Sequence, residues 1–275
     1  MSKEEETKEV AKKTKGEVAK VDFAQFGNAG LEHIDHAKEV RVPYLSLMQK
    51  GSAQVDKDHP DHETKSIKGD PRGDVETGDW VDTSRRCIVA KGGEPLEVIC
   101  CNRLMCYDKW SPPGSGRRVL GRYIQLPSGV IHGKDSNGKD IIKDEDGNEY
   151  AETAYAFIMY KDGEGWFPAI LSLSGGRISS YRDWVSTMNN QPIKCSFAYI
   201  YNMESYNKVY ANGKSGYVFK TTLKEEVADQ DLVNSCFQVY ESNSREAFLG
   251  TTHDENNNVS SSGLEVDVTE ELELV

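Results

Sequence analysis

The 275-residue sequence lacks the motifs by which most enzyme classes are recognised. It has no nucleophile elbow, no His-Glu-x-x-His helix and no kinase or cysteine-protease signature. Its Gly-rich loops do not end in the Gly-Lys-Ser/Thr sequence that binds phosphates. Carboxylates are so abundant that no pair stands out as a general acid and base. These absences favour a binding protein over an enzyme, and we expect no cofactor.

Two further absences concern location. No stretch approaches the ~18 apolar residues of a membrane span, and the N-terminal sequence MSKEEETKEVAKKTKGEVAK lacks the apolar stretch of a signal peptide. The six cysteines include no Cys-x-x-Cys pair, which argues against a zinc ribbon, and they are too sparse for a secreted disulfide scaffold. We therefore expect a cytoplasmic protein without a membrane partner, whose cysteines are reduced and mostly buried.

Acidic charge is concentrated at the C-terminus. The formal net charge is −12, but eight of the 45 acidic residues follow the last basic residue, Arg245, and the rest of the chain has 37 acids against 33 bases. The first 38 residues are rich in Lys and Glu and poor in large apolar side chains. Such compositions bury too little apolar surface to fold. We expect a flexible charged segment over 1–38, a β-rich domain over 39–250 and a disordered acidic tail over 251–275.

The middle of the chain has mainly the pattern of β-strands, with hairpin signals at Asn137-Gly138 and Asp146-Gly147. Strand-like stretches lie within 40–49, 96–110, 118–126, 139–160, 166–174, 194–203 and 216–222. A short amphipathic helix is indicated by the spacing of Ile178, Tyr181, Trp184, Val185 and Met188. A second helix is expected from Asp229. This order predicts an OB-fold-like barrel, mainly β with one or two short helices, although a sandwich gives a similar pattern.

An acidic loop around His59 and His62 has the composition of a metal site. A proline separates the two histidines, and no third ligand follows at the spacing of a zinc site, so a solvated loop is the better interpretation. The enzymatic alternative is a metal nuclease that uses the loop from Asp56 to Glu63, whose magnesium-dependent cutting would disappear in Asp58→Ala or Asp61→Ala.

Aromatic and basic residues alternate in four stretches, RLMCYDKW, RRVLGRY, RISSYRDW and YNKVYANGKSGYVFK. Single strands are bound in this way, because bases stack on aromatic rings at about 1–3 kcal/mol each while Lys and Arg follow the phosphates. Alternation of Tyr and Lys on half-buried strands gives the same pattern without any binding. The candidate stacking residues are Tyr107, Trp110, Tyr123, Tyr199, Tyr201 and Tyr217. The candidate phosphate contacts are Lys109, Arg117, Arg118, Arg122, Lys208, Lys214 and Lys220.

Three stretches together resemble a family of bacteriophage single-stranded DNA-binding proteins. They are VPYLSLMQKGSAQVD (42–56), LEVICCNRLMCYDKW (96–110) and PAILSLSGGRISSYRDWVSTM (168–188), and the similarity extends over about 42–219. In that family a basic Ser/Thr-Gln-Leu-Lys-Lys segment usually follows the LSLS strand, whereas this chain keeps only Arg177 and Arg182 there.

Single-strand binders of phages and bacteria also tend to carry an OB-type body followed by an acidic tail with an apolar end. The resemblance therefore implies that the tail recruits replication, recombination or transcription proteins. The residues assigned to this role are Glu270, Glu271, Leu272, Glu273, Leu274 and Val275.

Residues and resemblance together predict a phage-type protein that binds single-stranded DNA without sequence preference. Its tail would compete for the DNA groove when DNA is absent. The alternative is a phage structural or assembly protein with a β-sandwich fold, which accounts equally well for the strands, the acidic charge and the lack of catalytic motifs. The sequence leaves open whether two protomers pair as a homodimer.

Overall fold

The computed structural model describes residues 43–112, 118–134, 140–210 and 213–243. Within these ranges the chain forms one sheet of 11 strands and three helices. The strands are β1 (Tyr44–Leu47), β2 (Trp80–Asp82), β3 (Cys87–Ala90), β4 (Pro95–Trp110), β5 (Val119–Tyr123), β6 (Ile131–Lys134), β7 (Asp140–Lys143), β8 (Glu149–Asp162), β9 (Gly165–Ser174), β10 (Tyr199–Val209) and β11 (Ser215–Glu226). The helices are α1 (His62–Lys65), α2 (Arg177–Asn189) and α3 (Gln230–Ser242). The predicted mainly-β class with few helices is confirmed.

The sheet curls into a half-barrel. Its main strand order is β11-β10-β4-β8-β9-β1-β2-β3, while β5 pairs with β4 and the β6–β7 hairpin pairs with β8 through β7. Trp80 on β2 and Phe219 on β11 belong to strands near opposite ends of this order, yet their ring centroids are 5.8 Å apart. In a flat sheet, six strand spacings of about 4.8 Å would separate them by roughly 30 Å, so this contact reflects the curl.

The main core lies on the inner face of the curl. Leu45, Val98 and Phe219 come from β1, β4 and β11 and are all buried in it. Helix α2 contributes Tyr181 and Trp184 to the same core. Burying such large side chains stabilises the fold by about 25 cal/mol per Å² of apolar area, which favours a sheet that wraps around the helix.

Helix α2 begins where the sequence predicts it. Gly175 has φ 58°, a left-handed conformation that glycine adopts without a steric cost, and this turns the chain from β9 into the helix. The predicted apolar face is confirmed, because Ile178, Tyr181 and Trp184 are buried.

Strand β4 separates two cores. Val98 and Cys100 point into the inner core, whereas Ile99 and Cys101 point to the outer face of the sheet. The pairing of β4 with β8 shifts register between Cys100 and Asn102, so Cys101 is the extra residue of a β-bulge.

Helix α3 covers part of the outer face and also begins as predicted. The carboxylate of Asp229 accepts hydrogen bonds from the N–H groups of Asp231 (2.9 Å) and Leu232 (3.3 Å), which caps the helix. Leu232 and Cys236 are its buried residues. The cluster around them consists of Ile99, Cys101, Met159 and Ile200. Because this cluster is small, we expect α3 to be held less firmly than α2.

Some expectations need correction. Strand β10 begins at Tyr199, and residues 194–198 are irregular, so the strand expected over 194–203 starts five residues late. Because Phe197 precedes the strand, it does not share a face with Met203. Phe197 packs against the cluster beneath α3 on the outer face, and Met203 lies in the inner core. The acidic loop around His59 and His62 contains α1, and the short strands β2 and β3 were not predicted. The Asn137-Gly138 turn and the domain boundaries near 38 and 250 lie outside the described residues and stay predictions.

Candidate nucleic-acid interface

The fold brings the four aromatic and basic stretches together in two pairs. RLMCYDKW and RRVLGRY lie on β4 and β5, which are antiparallel neighbours. RISSYRDW forms the first part of α2. The described residues of YNKVYANGKSGYVFK belong to β10, β11 and the turn between them, where Tyr210 contacts the start of α2. We call the first surface the β4–β5 patch: Tyr107, Lys109, Trp110, Arg118 and Tyr123. We call the second the hairpin-tip cluster: Arg177, Lys208, Tyr210 and Lys214.

Two tyrosines of the β4–β5 patch share one face of the sheet. Tyr107 lies directly opposite Tyr123 in the β4–β5 ladder, and residues in such a pair point to the same side. The Tyr123 ring contacts the ring of Tyr150 with centroids 5.7 Å apart and lies against Gly121. Both Tyr107 and Tyr123 are partly exposed. They stay candidates for base stacking.

The charge of Lys109 is already neutralised. Its Nζ donates to Asp144 Oδ2 at 2.9 Å and lies 5.8 Å from the centroid of the Tyr150 ring. The hydrogen bond to Asp144 raises the pKa of Lys109. Burial would raise the pKa of Asp144, but hydrogen bonds from Asn148 and Lys109 outweigh burial and lower it. A phosphate would have to displace this carboxylate, which makes Lys109 a weak phosphate contact.

The other members of this patch lie where β4 ends and β5 begins. Trp110 is partly exposed and stands opposite Val119 in the ladder. Arg118 is exposed, and its backbone N–H and C=O both hydrogen-bond Ser111. Its side chain forms no ion pair with any described residue. Arg117 lies outside the described residues, so its assignment stays a prediction.

Arg122 is buried and leaves the list of phosphate contacts. Its side chain is 3% exposed, with Nε 3.6 Å from Asp108 Oδ1 and 3.3 Å from the Tyr155 hydroxyl. That hydroxyl donates to Asp108 Oδ2 at 2.7 Å. Burial raises the pKa of Asp108, against the influence of Tyr155 and Arg122. Arg122 thus belongs to an internal polar network. Successive residues of β5 point to opposite faces, so Arg122 points into the protein whereas Tyr123 points the other way.

Tyr199 and Tyr201 also leave the list of stacking residues. They are 3% and 0% exposed, and both belong to the inner core. The Tyr201 ring packs edge-on against Trp184 with centroids 6.1 Å apart, and the Tyr199 hydroxyl accepts a hydrogen bond from the N–H of Ile193. Neither ring presents a face to solvent on which a base could stack.

The hairpin-tip cluster forms because the Tyr210 side chain reaches the start of α2. Its hydroxyl lies so close to Gly176 that a Cβ on this residue would overlap it. The N–H of Tyr210 donates to the C=O of Lys214 at 2.8 Å, and the N–H of Gly213 donates to the C=O of Tyr210 at 2.9 Å. Lys208 Nζ lies 5.6 Å from the Tyr210 ring centroid, within the range of a cation–π contact.

Arg177 is a second cation whose charge is influenced by the Tyr210 side chain. It is the first residue of α2, and burial lowers the pKa of its guanidinium while the nearby Tyr210 side chain acts in the opposite direction. Among the described residues, neither Arg177 nor Lys208 forms an ion pair with a carboxylate. A partly desolvated cation attracts an incoming anion more strongly than a fully hydrated one. The first turn of α2 contains no acidic residue, so its N–H groups add to the positive potential.

Three other candidates lie on the same hairpin. Lys214 is exposed at the turn, and Lys220 forms an ion pair with Glu204 at 3.0 Å. The ring of Tyr217 lies directly against Gly78, where a Cβ would overlap it, so part of this ring is covered. Lys220 and Tyr217 are therefore weaker candidates than Lys208.

The two surfaces lie toward opposite ends of the sheet. Tyr201 on β10 pairs with Val98 on β4. Because β10 and β4 are antiparallel, their C-terminal ends point in opposite directions from this pair. Lys208 lies seven residues further along β10, and Trp110 lies twelve residues further along β4. At about 3.3 Å per residue, roughly 60 Å of strand separates them along the ladder. The structure therefore divides the single predicted groove into two surfaces.

The acidic loop takes part in local turns. His59 Nδ1 accepts a hydrogen bond from the N–H of Asp61 at 3.1 Å, and His62 Nδ1 lies 2.7 Å from the C=O of Ala53. Across the described ranges, no three His, Cys, Asp or Glu side chains are grouped as metal ligands. The helices of these ranges are too short or too polar to cross a membrane.

Sequence reasoning missed the main feature of the second surface. Tyr210 stands in a stretch that was recognised, but its contact with Gly176 joins two segments 34 positions apart, and no local pattern reports such a contact. Arg177 was noted only as a remnant of a more basic segment. The sequence Gly175-Gly176-Arg177 could have indicated this surface. Two residues without side chains leave room for a ring next to a cation.

Comparison with known proteins gives one match. A family model described as Pam3 phage gp34-like protein matches residues 11–248, which is most of the chain. The searches of curated proteins and of solved structures found no match.

Proposed function

The chain belongs to the Pam3 phage gp34-like protein family and is thus a phage protein, and we propose that it binds single-stranded DNA without sequence preference. It catalyses no reaction in this role and acts in the cytoplasm of the host. A curled, mainly-β sheet with aromatic and basic side chains at its surface supports this proposal, since such sheets present stacking platforms beside cations.

The observation that carries the proposal is the hairpin-tip cluster. Lys208 lies over the Tyr210 ring, the Tyr210 side chain influences the pKa of Arg177, and neither cation is neutralised by a carboxylate among the described residues. Elsewhere the cations Lys109, Lys220 and Arg122 are paired with acids. In a protein with a net charge of −12, such unpaired cations mark where a polyanion would bind. Arg177 and Lys208 would contact phosphates, and Tyr210 would hold them in place.

The β4–β5 patch would extend the site. Tyr107, Trp110 and Tyr123 offer partly exposed rings, and Arg118 is an exposed cation beside them. A long single strand that follows the curled sheet would stack its bases on the rings of the β4–β5 patch. Its phosphates would contact the cations of the hairpin-tip cluster at the other end of the sheet. Stacking is tolerant of sequence because every base has a π face.

The acidic C-terminal segment would regulate DNA binding and recruit partner proteins. Residues 254–275 contain seven carboxylates and no Lys or Arg, and they lie outside the described residues. Their charge would compete with DNA for the hairpin-tip cluster. The last six residues, 270–275, would bind replication, recombination or transcription proteins through Leu272, Leu274 and Val275.

The test is binding of the full chain to fluorescent oligo-dT over a range of salt concentrations. Log affinity should fall with log salt at about −0.7 per phosphate contacted. Replacing Arg177 and Lys208 together by Gln should flatten this slope by about 1.4, because two phosphate contacts are lost. The matched control replaces Lys109 and Lys220 by Gln. It removes the same charge from two cations that are already paired, so it should change the slope less.

Each outcome has a definite meaning. Absence of binding at low salt would refute the function and favour the alternative of a phage structural or assembly protein. Binding with equal slope changes in the two double variants would place the DNA elsewhere than the hairpin-tip cluster.

A further inference from the structure

Two buried thiols meet where α3 packs on the outer face of the sheet. Cys101 is the bulged residue of β4, and Cys236 lies in the middle of α3. Both are 0% exposed and belong to the same small cluster. Within this cluster each thiol affects the pKa of the other, and both cysteines are free thiols.

We infer that Cys101 and Cys236 are a site of reversible oxidation, which join in a disulfide when the protein meets a hydroperoxide and thereby fasten α3 to β4. The inference is independent of DNA binding, because it concerns a cluster on the face of the sheet opposite the inner core.

The position of both cysteines suits a disulfide. Bonded sulfurs are about 2.05 Å apart and need Cβ atoms about 3.5–4.5 Å apart, and the two thiols already share one cluster of six buried residues. Cys101 is the unpaired residue of its bulge, so its backbone can move without breaking the ladder between β4 and β8. The neighbouring Cys100 points into the inner core, on the other side of the strand.

The two thiols differ in reactivity in a way that suits the chemistry. The neighbouring Cys101 thiol lowers the pKa of Cys236, whereas Cys236 and burial raise the pKa of Cys101. The thiolate is the nucleophilic form of cysteine. Cys236 is therefore the thiol that reacts first.

The oxidation proceeds in two balanced steps. The Cys236 thiolate attacks one oxygen of hydrogen peroxide, the O–O bond breaks, and the departing hydroxide takes up the proton that the thiol had released, leaving a sulfenic acid and one water. The Cys101 sulfur then attacks the sulfenic sulfur. The S–O bond breaks, and the Cys101 proton goes to the departing hydroxide as a second water. Two thiols and one peroxide give one disulfide and two waters.

Access to the buried pair depends on α3. Leu232 and Cys236 are the buried residues of this helix, so a partial opening of this contact admits peroxide to Cys236 at a low cost compared with global unfolding, and the two thiols meet again when the helix closes. Once formed, the disulfide prevents that opening. Reduction by a thiol restores the starting state.

The experiment uses the full-length protein exposed to hydrogen peroxide under native conditions. Remaining thiols are blocked, and peptides are analysed by mass spectrometry without reduction. We expect a linked pair of peptides, one containing Cys101 and the other Cys236, that separates on addition of dithiothreitol. Fragmentation between Cys100 and Cys101 assigns the bond in the wild-type protein, so the result does not depend on a variant that folds.

Variants and stability complete the test. Cys100→Ser should keep the linked pair, and Cys101→Ser should lose it. The oxidised protein should unfold at a higher urea concentration than the reduced protein. Peroxide-treated folded protein without this link, a link through Cys100 or Cys195, or a linked protein that is no more resistant to urea would each overturn the inference.

Discussion

The side-chain amide of Gln49 hydrogen-bonds both backbone groups of Tyr217. Its Nε2 donates to the C=O of Tyr217 at 2.9 Å, and its Oε1 accepts from the N–H at 2.9 Å. Tyr217 lies on β11, at one end of the strand order, and Gln49 closely follows β1, near the other end. An amide presents one donor side and one acceptor side, as a peptide group does. Gln49 thus acts at this point as a neighbouring strand would, and it joins the two sides of the curled sheet.

Replacement of Gln49 by Ala should therefore destabilise the fold. The backbone groups of Tyr217 would lose both partners, and an unsatisfied, partly buried group costs about 1–3 kcal/mol. Urea unfolding measures the change. Gln54→Ala is the control, since Gln54 is similarly half-buried but its side chain forms no hydrogen bond within the described residues. Equal effects of the two substitutions would contradict the bridging role of Gln49.

A second long-range contact joins the loop before β2 and the turn between β2 and β3 to the end of β8. Asp162 Oδ1 accepts from Arg72 at 2.6 Å, and its Oδ2 accepts from Arg85 at 2.9 Å. Arg85 also lies over the Phe167 ring, with its guanidinium carbon 4.0 Å from the centroid. Burial would raise the pKa of Asp162, but Arg72 and Arg85 outweigh burial and lower it.

The lowered pKa gives a stability that depends on pH. A carboxyl whose pKa is lower in the folded state contributes stability above its unfolded pKa, near 4, and loses it as the pH falls through the folded value. Asp162→Asn should thus destabilise the protein at pH 7 by about 1–2 kcal/mol, a moderate value because both arginines are partly exposed. The difference from wild type should shrink below about pH 4. Urea unfolding at several pH values measures it, with exposed Asp183→Asn as the control. A difference that does not vary with pH would contradict the ion pair.

The sequence was informative where structure is local. Helix α2 was predictable because Ile178, Tyr181 and Trp184 recur at helical spacing, and α3 because Asp229 caps it. The closure of the sheet was not predictable. Gln49 and Tyr217 are 168 positions apart, and no periodicity records a single contact at that distance.

The candidate site shows the same division. Alternation places Tyr107 and Tyr123 on strands, but it cannot tell which face of a strand is covered. Tyr201 was therefore chosen by residue type, although its alternation with Met203 is equally that of a core strand, and the structure buries both. The contact between Tyr210 and Gly176 depends on where a helix meets a hairpin, and only the three-dimensional fold reveals it.

Deletion of residues 254–275 should leave the fold intact and tighten binding of oligo-dT, most visibly at low salt. Seven carboxylates without basic partners would otherwise compete with DNA for cations, and salt screens this competition. Binding isotherms of the full and shortened chains at two salt concentrations measure the effect. A pull-down from phage-infected host cells should lose a replication, recombination or transcription protein with the shortened chain. If the affinity for DNA and the set of partners were both unchanged, the prediction would be wrong and the segment would serve only solubility.

Replacement of Gly176 by Ala tests the hairpin-tip cluster without removing a charge. Gly176 has φ −61°, which alanine adopts readily, and because glycine is preferred over alanine at an N-cap the fold should be destabilised by no more than about 1 kcal/mol. The new Cβ would overlap the Tyr210 hydroxyl, which must move away from the start of α2. The affinity for oligo-dT should fall about five-fold, because displacing the ring removes a cation–π contact of about 1 kcal/mol that holds Lys208 in place.

The control for Gly176→Ala is Gly133→Ala on β6, where a Cβ would meet no atom within 4 Å and the affinity should not change. A double-mutant cycle decides the mechanism. In a Tyr210→Ala background no side chain remains for the Cβ to displace, so Gly176→Ala should have little further effect on affinity. If the two substitutions instead reduced the affinity additively, Gly176 would act on DNA binding by a route that does not include Tyr210.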